Sequence, residues 1–308
     1  MIKVRQVLLC SAVPFFFLAA SCVRENSSRK QDIHVQQMSG FPNQEFGYEL
    51  GVSACYAGII GNKLVMAGGC NFAGKSAAEG GPKYFYKGIY TAEITEDSVL
   101  VWKQVGELPS PVAYGVSISR SGEMILIGGN NADGGLTSVF RLKLAEDGGA
   151  ILDTLPSLPF ALDNMSGAAS GNTIYVAGGN RNGSPSTSML SLNLNEPELG
   201  WKEEVPFPGA ARVQPVCAVQ DGMLYLWGGF CPSQNGGEAG VATDGYRYLP
   251  LQERWEPVPA PAVAETGEPL TLTGGTSCVW SDSIILCTGG VDKDIFLDAI
   301  SGDYKRIA

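Results

Sequence analysis

Short apolar runs that end in paired glycines recur five times along the chain. The segments are "GNKLVMAGG", "GEMILIGG", "GNTIYVAGG", "DGMLYLWGG" and "SDSIILCTGG". Each predicts the second strand of a β-hairpin that ends in a tight, glycine-dependent turn. The second glycines are separated by 60, 50, 50 and 61 residues, which indicates an internal repeat. They are Gly69, Gly129, Gly179, Gly229 and Gly290.

The pattern predicts three further strands in each of the first four units. A strand of small residues, such as "GVSACYAG" or "MSGAAS", precedes each hairpin turn and suits an inner position at a crowded central channel. A third strand follows the glycines, and an outer segment then carries Trp102, Trp201 or Trp255; the second unit has "ILDTL" there. Four strands per unit predict an all-β propeller. The expected blades are residues 47–105, 111–155, 162–205, 212–258 and a partial fifth, 271–308.

Both ends of this repeat are unusual. The stretch "IHVQQMSGFPNQEFGYELGVS" repeats the pattern of "LVWKQVGELPSPVAYGVS", so residues 33–38 resemble an outer strand without a blade of its own. We expect this strand to close the last blade. The fifth blade has its inner hairpin and a candidate third strand in "DIFLDAI". The favoured interpretation is a chain shortened at its C terminus, and the alternative is closure with five blades through pairing of 33–38 with that segment.

The N-terminus has the layout of a bacterial lipoprotein signal. Lys3 and Arg5 precede an apolar run and "LAASC", which predicts a signal peptide over residues 1–21 and lipid attachment at Cys22. Residues 22–32 form a polar tether. The apolar run is short for a membrane span, so we expect membrane contact only through the lipid. The alternative is an ordinary cleaved signal. Both predict a domain in the bacterial cell envelope, periplasmic or on the outer-membrane surface.

Composition and charge exclude several functions. A net charge of −10 gives no basic footprint for nucleic acid and makes recognition of an acidic ligand depend on local Lys or Arg. The single histidine, His34, excludes a Ser-His-Asp triad and multi-histidine metal sites. Six cysteines beyond Cys10 and Cys22 lie in strand-like contexts, which favours buried thiols and leaves one disulfide open. We expect no metal and no cofactor.

One stretch, "GGCNFAGKS", has the spacing of a phosphate-binding P-loop. Such a loop needs a helix that begins at the Lys-Ser pair. The residues that follow, "AAEGGPKYFY", contain two glycines and a proline, which disfavour a helix. The glycine pair also recurs in four units without Gly-Lys-Ser. We therefore predict no nucleotide site and interpret the stretch as a hairpin turn followed by an insertion.

The repeat resembles the kelch repeat, in which a paired glycine follows the second strand and a tryptophan lies in the fourth. Within that class, "GGCNFAGKSAAEGGPKYFYKGIY" resembles the Asn-Phe, Glu-Gly, Lys and aromatic pattern of the N-acetylneuraminate epimerases, or sialic acid mutarotases. "GELPSPVAYGVSISRSGEMILIGG", "FPGAARVQPVCAVQDGMLYLWGG" and "GGVDKDIFLDAI" are similar to further blades of that family, in cyclically permuted order. The resemblance covers residue 45 to the end.

The resemblance implies a six-bladed kelch propeller, of which this chain has about five blades with the fifth incomplete. It also implies an isomerase that interconverts the α and β anomers of sialic acid by acid/base-assisted ring opening, without a cofactor. The family's catalytic glutamate and arginine lie in an "NGE…R" motif, in a blade expected after residue 308, so the catalytic residues are unassigned here and the chain is expected to be inactive if that blade is missing. The alternative is a non-catalytic surface lipoprotein that binds glycan or protein.

Three candidate sugar-binding residues belong to the insertion after the first paired glycine. Glu79 is a candidate partner for a sugar hydroxyl or a candidate substitute acid/base, and the alternative is a loop carboxylate that organises Lys83 or backbone N–H groups. Asn71 and Lys83 share the loop and both interpretations. Long loops on a rigid scaffold often carry binding residues.

Two further candidates lie at the entrances of inner strands. Arg212 aligns with a family arginine and suits a bidentate bond to a carboxylate; the alternative is an arginine that ties adjacent blades together. Tyr114 is a candidate for stacking on a sugar face, and the alternative is an aromatic side chain that packs within the protein at the start of a strand. A second insertion, "FCPSQNGGEAGVATDG", adds Glu238 and Asp244 as polar candidates, with solvated loop residues as the alternative.

Overall fold

The computed structural model describes residues 38–95, 99–233, 238–282, 284–291 and 293–302. The expected signal peptide (1–21), the lipid-attachment residue Cys22 and the tether (22–32) lie outside the described residues. The expected closing strand (33–38) does too, apart from Met38.

Four antiparallel sheets of four strands follow one another along the chain. Blade 1 comprises Tyr56–Ile60, Lys63–Ala67, Gly88–Glu93 and Lys103–Glu107. Blade 2 comprises Val116–Arg120, Glu123–Ile127, Val139–Leu144 and Ala150–Thr154. Blade 3 comprises Ser166–Ser170, Thr173–Ala177, Met189–Asn193 and Lys202–Glu203. Blade 4 comprises Val216–Gln220, Met223–Trp227, Gly245–Leu249 and Arg254–Pro257. Blade 5 has the two strands Gly275–Ser281 and Ile284–Gly289 among the described residues.

Shorter elements lie in the connections. Short paired strands are Cys70–Asn71 with Tyr84–Phe85, Asn130–Asn131 with Gly134–Gly135, Leu162–Asp163 with Asn180–Arg181 and Ser184–Pro185, and Phe230–Cys231 with Gly240–Val241. The 3-10 helices are Tyr48–Leu50, Ala77–Glu79, Pro197–Leu199 and Pro250–Gln252. One α-helix, Lys293–Ser301, follows blade 5. No helix in the described part of the chain is long and apolar enough to cross a membrane.

The first strand of each blade lies beside the first strand of the next. Serine side chains bridge these inner strands: Ser117 Oγ donates to the carbonyl of Ala57 (2.8 Å), and Ser166 Oγ accepts from the backbone N–H of Cys217 (3.1 Å). Small residues are needed here because the inner strands converge on one axis. The prediction of an all-β, kelch-type propeller is confirmed, and within the described part of the chain the fifth blade has two strands.

The hydrophobic core lies between neighbouring blades. One cluster joins Ile125 and Ile127 of blade 2 to Ile174 and Val176 of blade 3, all fully buried. Similar clusters join blade 1 to blade 2 and blade 3 to blade 4. Blades 2 and 3 therefore bury both faces against their neighbours, which accounts for strands that are apolar on both sides, such as "EMILI".

The paired glycines connect each blade to the segment that leads into the next. In blade 2, Gly128 has φ +57° and faces the carbonyl oxygen of Leu162; a Cβ at Gly128 would lie 2.4 Å from that oxygen. The N–H of Gly129 donates to the same oxygen at 2.9 Å. The same contact joins Gly68 and Gly69 to Val112, Gly178 and Gly179 to Arg212, and Gly228 and Gly229 to Leu272. Glycine is required because only it combines a positive φ with this close approach.

The tryptophans of the outer strands form a second repeated connection. The indole N–H of Trp201 donates to Pro156 and that of Trp255 donates to Val205, in each case the link that leaves the preceding blade. In blade 1, Trp102 donates to the carbonyl of Gly40 instead (3.2 Å). Gly40 thus takes the place of a link from a preceding blade, while the closing strand at 33–38 stays a prediction.

The prediction of a third strand in "DIFLDAI" is wrong, because this segment lies in the helix Lys293–Ser301. Its apolar residues 295, 296, 297, 299 and 300 do not alternate with polar residues as in a strand, and several of them recur at the helical spacing of three or four. Phe296 packs edge-on against Phe230, with ring centroids 4.9 Å apart.

The prediction of buried thiols is confirmed for Cys70 and Cys217, whereas Cys278 is exposed; all six described cysteines are unpaired.

We expect Gly128→Ala to destabilise the protein far more than Gly122→Ala. Both glycines have positive φ, but a Cβ at Gly122 meets nothing within 4 Å, whereas at Gly128 it meets Leu162 O. Backbone strain alone costs about 1 kcal/mol, and the added clash should bring the loss at Gly128 to more than about 3 kcal/mol. Urea unfolding measures both losses, and equal losses would contradict this explanation of the paired glycines.

Candidate functional site

The inner ends of the five blades enclose a cavity of about 650 Å³. Residues from the same place in each blade line it: Ala54, Tyr114, Asn164, Gln214 and Gly274. Val291 and Phe296 also contribute to its wall. A cavity of this volume is in the range that holds a small-molecule ligand. No described group of three or more His, Cys, Asp or Glu side chains is arranged to hold a metal ion.

A chain of backbone hydrogen bonds connects these five residues, which we call the channel ring. The N–H groups of Tyr114, Asn164, Gln214 and Gly274 donate to the carbonyls of Ala54, Tyr114, Asn164 and Gln214, at 2.9, 2.7, 2.6 and 3.0 Å respectively. All five residues have φ between +52° and +67°, although four of them are not glycine. Non-glycine residues in this region are uncommon and are often found at functional sites. The ring therefore places three polar side chains at equivalent positions on the cavity.

Lys83 and Tyr114, two of the predicted site residues, lie together: Tyr114 lines the cavity, and Lys83 is an exposed residue that contacts Tyr114 without being among the lining residues. Lys83 Nζ donates to Tyr114 Oη at 2.9 Å and lies 4.9 Å from the centre of the tyrosine ring. The same nitrogen is 5.7 Å from the ring of Phe72. Burial raises the pKa of the Tyr114 phenol more than the neighbouring ammonium lowers it, so the phenol keeps its proton at neutral pH. The pair places a positive charge beside a neutral proton donor.

Asn71 and Glu79 have partners within blade 1. Asn71 Nδ2 donates to the carbonyls of Gly47 (2.7 Å) and Gly51 (2.8 Å). Glu79 is exposed and caps the helix Ala77–Glu79, where its carboxylate accepts from Ser76 Oγ at 2.8 Å. These bonds organise the loop, and a role of either residue in sugar binding stays a prediction.

Arg212 is buried, with a side chain only 1% exposed, and its guanidinium already binds a carboxylate. Both Asp244 oxygens accept from it, with Nη2 to Oδ2 at 3.0 Å, and the carbonyls of Gly228 and Ala210 take further N–H groups. Arg212 is not among the described residues that line the cavity. Its side chain therefore stabilises the entrance of blade 4, and its binding of a substrate carboxylate stays a prediction.

Sequence reasoning missed Asn164, Gln214 and Asp163. Gln214 Nε2 donates to Asn164 Oδ1 (2.9 Å), and Asn164 Nδ2 donates to Asp163 Oδ1 (2.6 Å). Asp163 is 5% exposed and also accepts from Asn180 Nδ2 (2.8 Å). One signal was available, because Asn164 and Gln214 hold the position of Tyr114 in the next two repeats.

We expect Asp244→Asn to lower the free energy of unfolding by about 2 kcal/mol at pH 7, because it leaves the buried guanidinium of Arg212 without its counter-charge. Burial raises the pKa of Asp244, but the Arg212 hydrogen bonds outweigh it and hold the pKa below its ordinary value of 3.8. The ion pair therefore stabilises the fold above that value and is lost as pH falls through the lower pKa of the folded state. Urea unfolding at pH 7 and pH 3 should show the difference between the two proteins shrinking in acid. Asp153→Asn, at an exposed pair with Lys143, is the control; a difference independent of pH would contradict the assignment.

Comparison with known proteins shows similarity to one family. The family model described as N-acetylneuraminate epimerase matches residues 18–151 and 155–307. The N-acetylneuraminate epimerase of Haemophilus influenzae (strain PittEE) is 35% identical over 143 residues, which are 46% of this chain and 35% of that protein. Those of Salmonella arizonae and Salmonella typhi are 34% and 32% identical over the same length. The chain thus spans about a third of the length of these curated relatives. Since the family model matches nearly all of the propeller, the chain belongs to the N-acetylneuraminate epimerase family.

Proposed function

We propose that the protein binds a sialic acid at the channel ring and interconverts its α and β anomers. The observation that carries the proposal is the contact of Lys83 Nζ with the hydroxyl of Tyr114, a residue that lines the cavity. Membership of the N-acetylneuraminate epimerase family supports this sugar as the substrate. The expected secretion signal with Cys22 supports a place in the cell envelope.

Lys83 supplies the charge that an acidic sugar needs. A lysine ammonium has three donors, and Tyr114 takes one of them, which leaves two for a carboxylate. Among the described residues, Lys83 forms no ion pair with a carboxylate, whereas Arg212 is neutralised by Asp244. With a net charge of −10, the protein as a whole repels an anion, so local attraction must come from a cation such as Lys83.

Tyr114 has the properties required to move the proton. Opening the sugar ring breaks the bond between the anomeric carbon and the ring oxygen, and one proton passes from the anomeric hydroxyl to the ring oxygen. A phenol can donate its proton to the ring oxygen and receive the proton of the anomeric hydroxyl, so atoms and charge balance. Because Lys83 donates to Oη, the phenol hydrogen is directed away from the ammonium, and Cys70 is a second hydrogen-bonding partner of this phenol.

We expect Tyr114→Phe and Lys83→Met to affect different steps. Loss of the phenol should slow anomer exchange about 100-fold at saturating sugar with little change in affinity. Loss of the ammonium should weaken binding of the sugar about tenfold or more. NMR of freshly released α-N-acetylneuraminate measures the exchange rate, and calorimetry measures the affinity.

The matched control is Lys63→Met, which removes a lysine of the same blade that pairs with Glu93 at 3.7 Å, outside the cavity. It should leave rate and affinity unchanged. An exchange rate that the folded wild-type protein does not increase would overturn the catalytic proposal. Sugar binding without acceleration would instead support a non-catalytic glycan-binding lipoprotein.

A further inference from the structure

The carboxylate of Asp163 fixes the orientation of two neighbouring amides. An ionised carboxylate only accepts hydrogen bonds, so the side-chain amide of Asn164 must turn its NH₂ group toward Asp163. Its oxygen then faces Gln214, which must offer its own NH₂ group. The direction of both bonds follows from the chemistry of the buried acid alone.

This orientation leaves Gln214 Oε1 as an acceptor on the wall of the cavity. Gln214 and the neighbouring Gly274 both line the cavity, and a Cβ at Gly274 would lie 3.2 Å from Oε1. Glycine at this ring position therefore leaves room beside the oxygen. Oε1 receives no hydrogen bond from the described part of the chain.

The cavity wall thus has opposite hydrogen-bonding character at two places on the ring. Tyr114 and the lysine bound to it, Lys83, supply donors on one side, and Gln214 presents an acceptor, with Asn164 between Tyr114 and Gln214 along the ring. A matching ligand has a group that only accepts at one end and a group that donates at the other. An acidic acylamino sugar has both, because its carboxylate accepts and its amide N–H donates.

We propose that Gln214 is a specificity-determining residue whose Oε1 accepts the amide N–H of the sugar's acylamino group, and that Asp163 is the positioning residue that fixes this acceptor through Asn164. The inference rests on the proposed function, since it assumes that an acidic sugar occupies the channel ring. It adds that the ring recognises the acylamino group of the sugar. Asp163 acts only through the two amides and does not touch the sugar.

Calorimetric binding of N-acetylneuraminate to the full chain tests the proposal. Gln214→Met keeps the length of the side chain but removes the acceptor, so Kd should rise about tenfold. Gln220→Met is the matched control, because Gln220 ends the same inner strand, Val216–Gln220, and binds Ser281. It should leave Kd unchanged.

A double-mutant cycle tests the role of Asp163. Asp163→Asn allows Asn164 and Gln214 to reverse, so Kd should rise about fivefold in the wild-type background. In the Gln214→Met background the same change should have no further effect, whereas a merely structural role of Asp163 would weaken binding in both. If Asp163→Asn does not fold, the Gln214→Met result still decides the proposal.

A sugar analogue with an azide in place of the acylamino group provides the chemical counterpart, because an azide cannot donate a hydrogen bond. Wild-type protein should bind the analogue about tenfold more weakly, and Gln214→Met should not weaken it further. Unchanged binding of N-acetylneuraminate by Gln214→Met would overturn this inference. So would a Kd for the azide analogue that Gln214→Met raises as much as it raises the Kd for N-acetylneuraminate. If binding nevertheless depends on Lys83, the proposed function stands. If the wild-type chain binds no sugar, both fail.

Discussion

The architecture depends on one backbone contact, in which a carbonyl oxygen of each incoming segment fits against the paired glycine of the preceding blade. The first glycine leaves space for the oxygen, and the second donates its N–H to it, as Gly128 and Gly129 do to Leu162. A side chain at the first position would displace the next blade. This contact therefore constrains the position of each blade relative to its neighbour, together with the apolar side chains that pack between them.

The same contact determines where the site residues lie. In each of four repeats, the residue whose carbonyl meets the glycines is two positions before a member of the channel ring: Val112 before Tyr114, Leu162 before Asn164, Arg212 before Gln214, and Leu272 before Gly274. Because this carbonyl is held by the glycines, the backbone two residues later, which forms the channel ring, is held in place as well. Since backbone hydrogen bonds connect all five members of the ring, its side chains can differ, and the repeats place a phenol, two amides and a glycine at equivalent points.

The sequence was sufficient to predict features that depend on local periodicity. Glycine pairs, apolar strands and small inner strands identify the blades because each lies within a few residues of its neighbours. The helix Lys293–Ser301 was missed because its short apolar run was interpreted by analogy with the earlier repeats. Arg212 illustrates a different limit, since its partner Asp244 is 32 residues away and only the folded chain shows the guanidinium to be neutralised. Asn164 and Gln214 hold the position of Tyr114 in the next two repeats, but they were missed because the sequence does not show the positive φ that turns this position into the cavity.

The charges around the cavity explain why it suits an anion. Two buried ionic groups near the ring are compensated within the protein: Arg212 by Asp244, and Asp163 by the amides of Asn164 and Asn180. Lys83 differs, because its described polar partner is the neutral phenol of Tyr114, which does not cancel its charge. Asp163 is a buried carboxylate held by neutral donors, whereas Lys83 is an exposed cation bound to a neutral acceptor. The first orients the amides, and the second leaves an ammonium that can gain a further partner when a carboxylate enters.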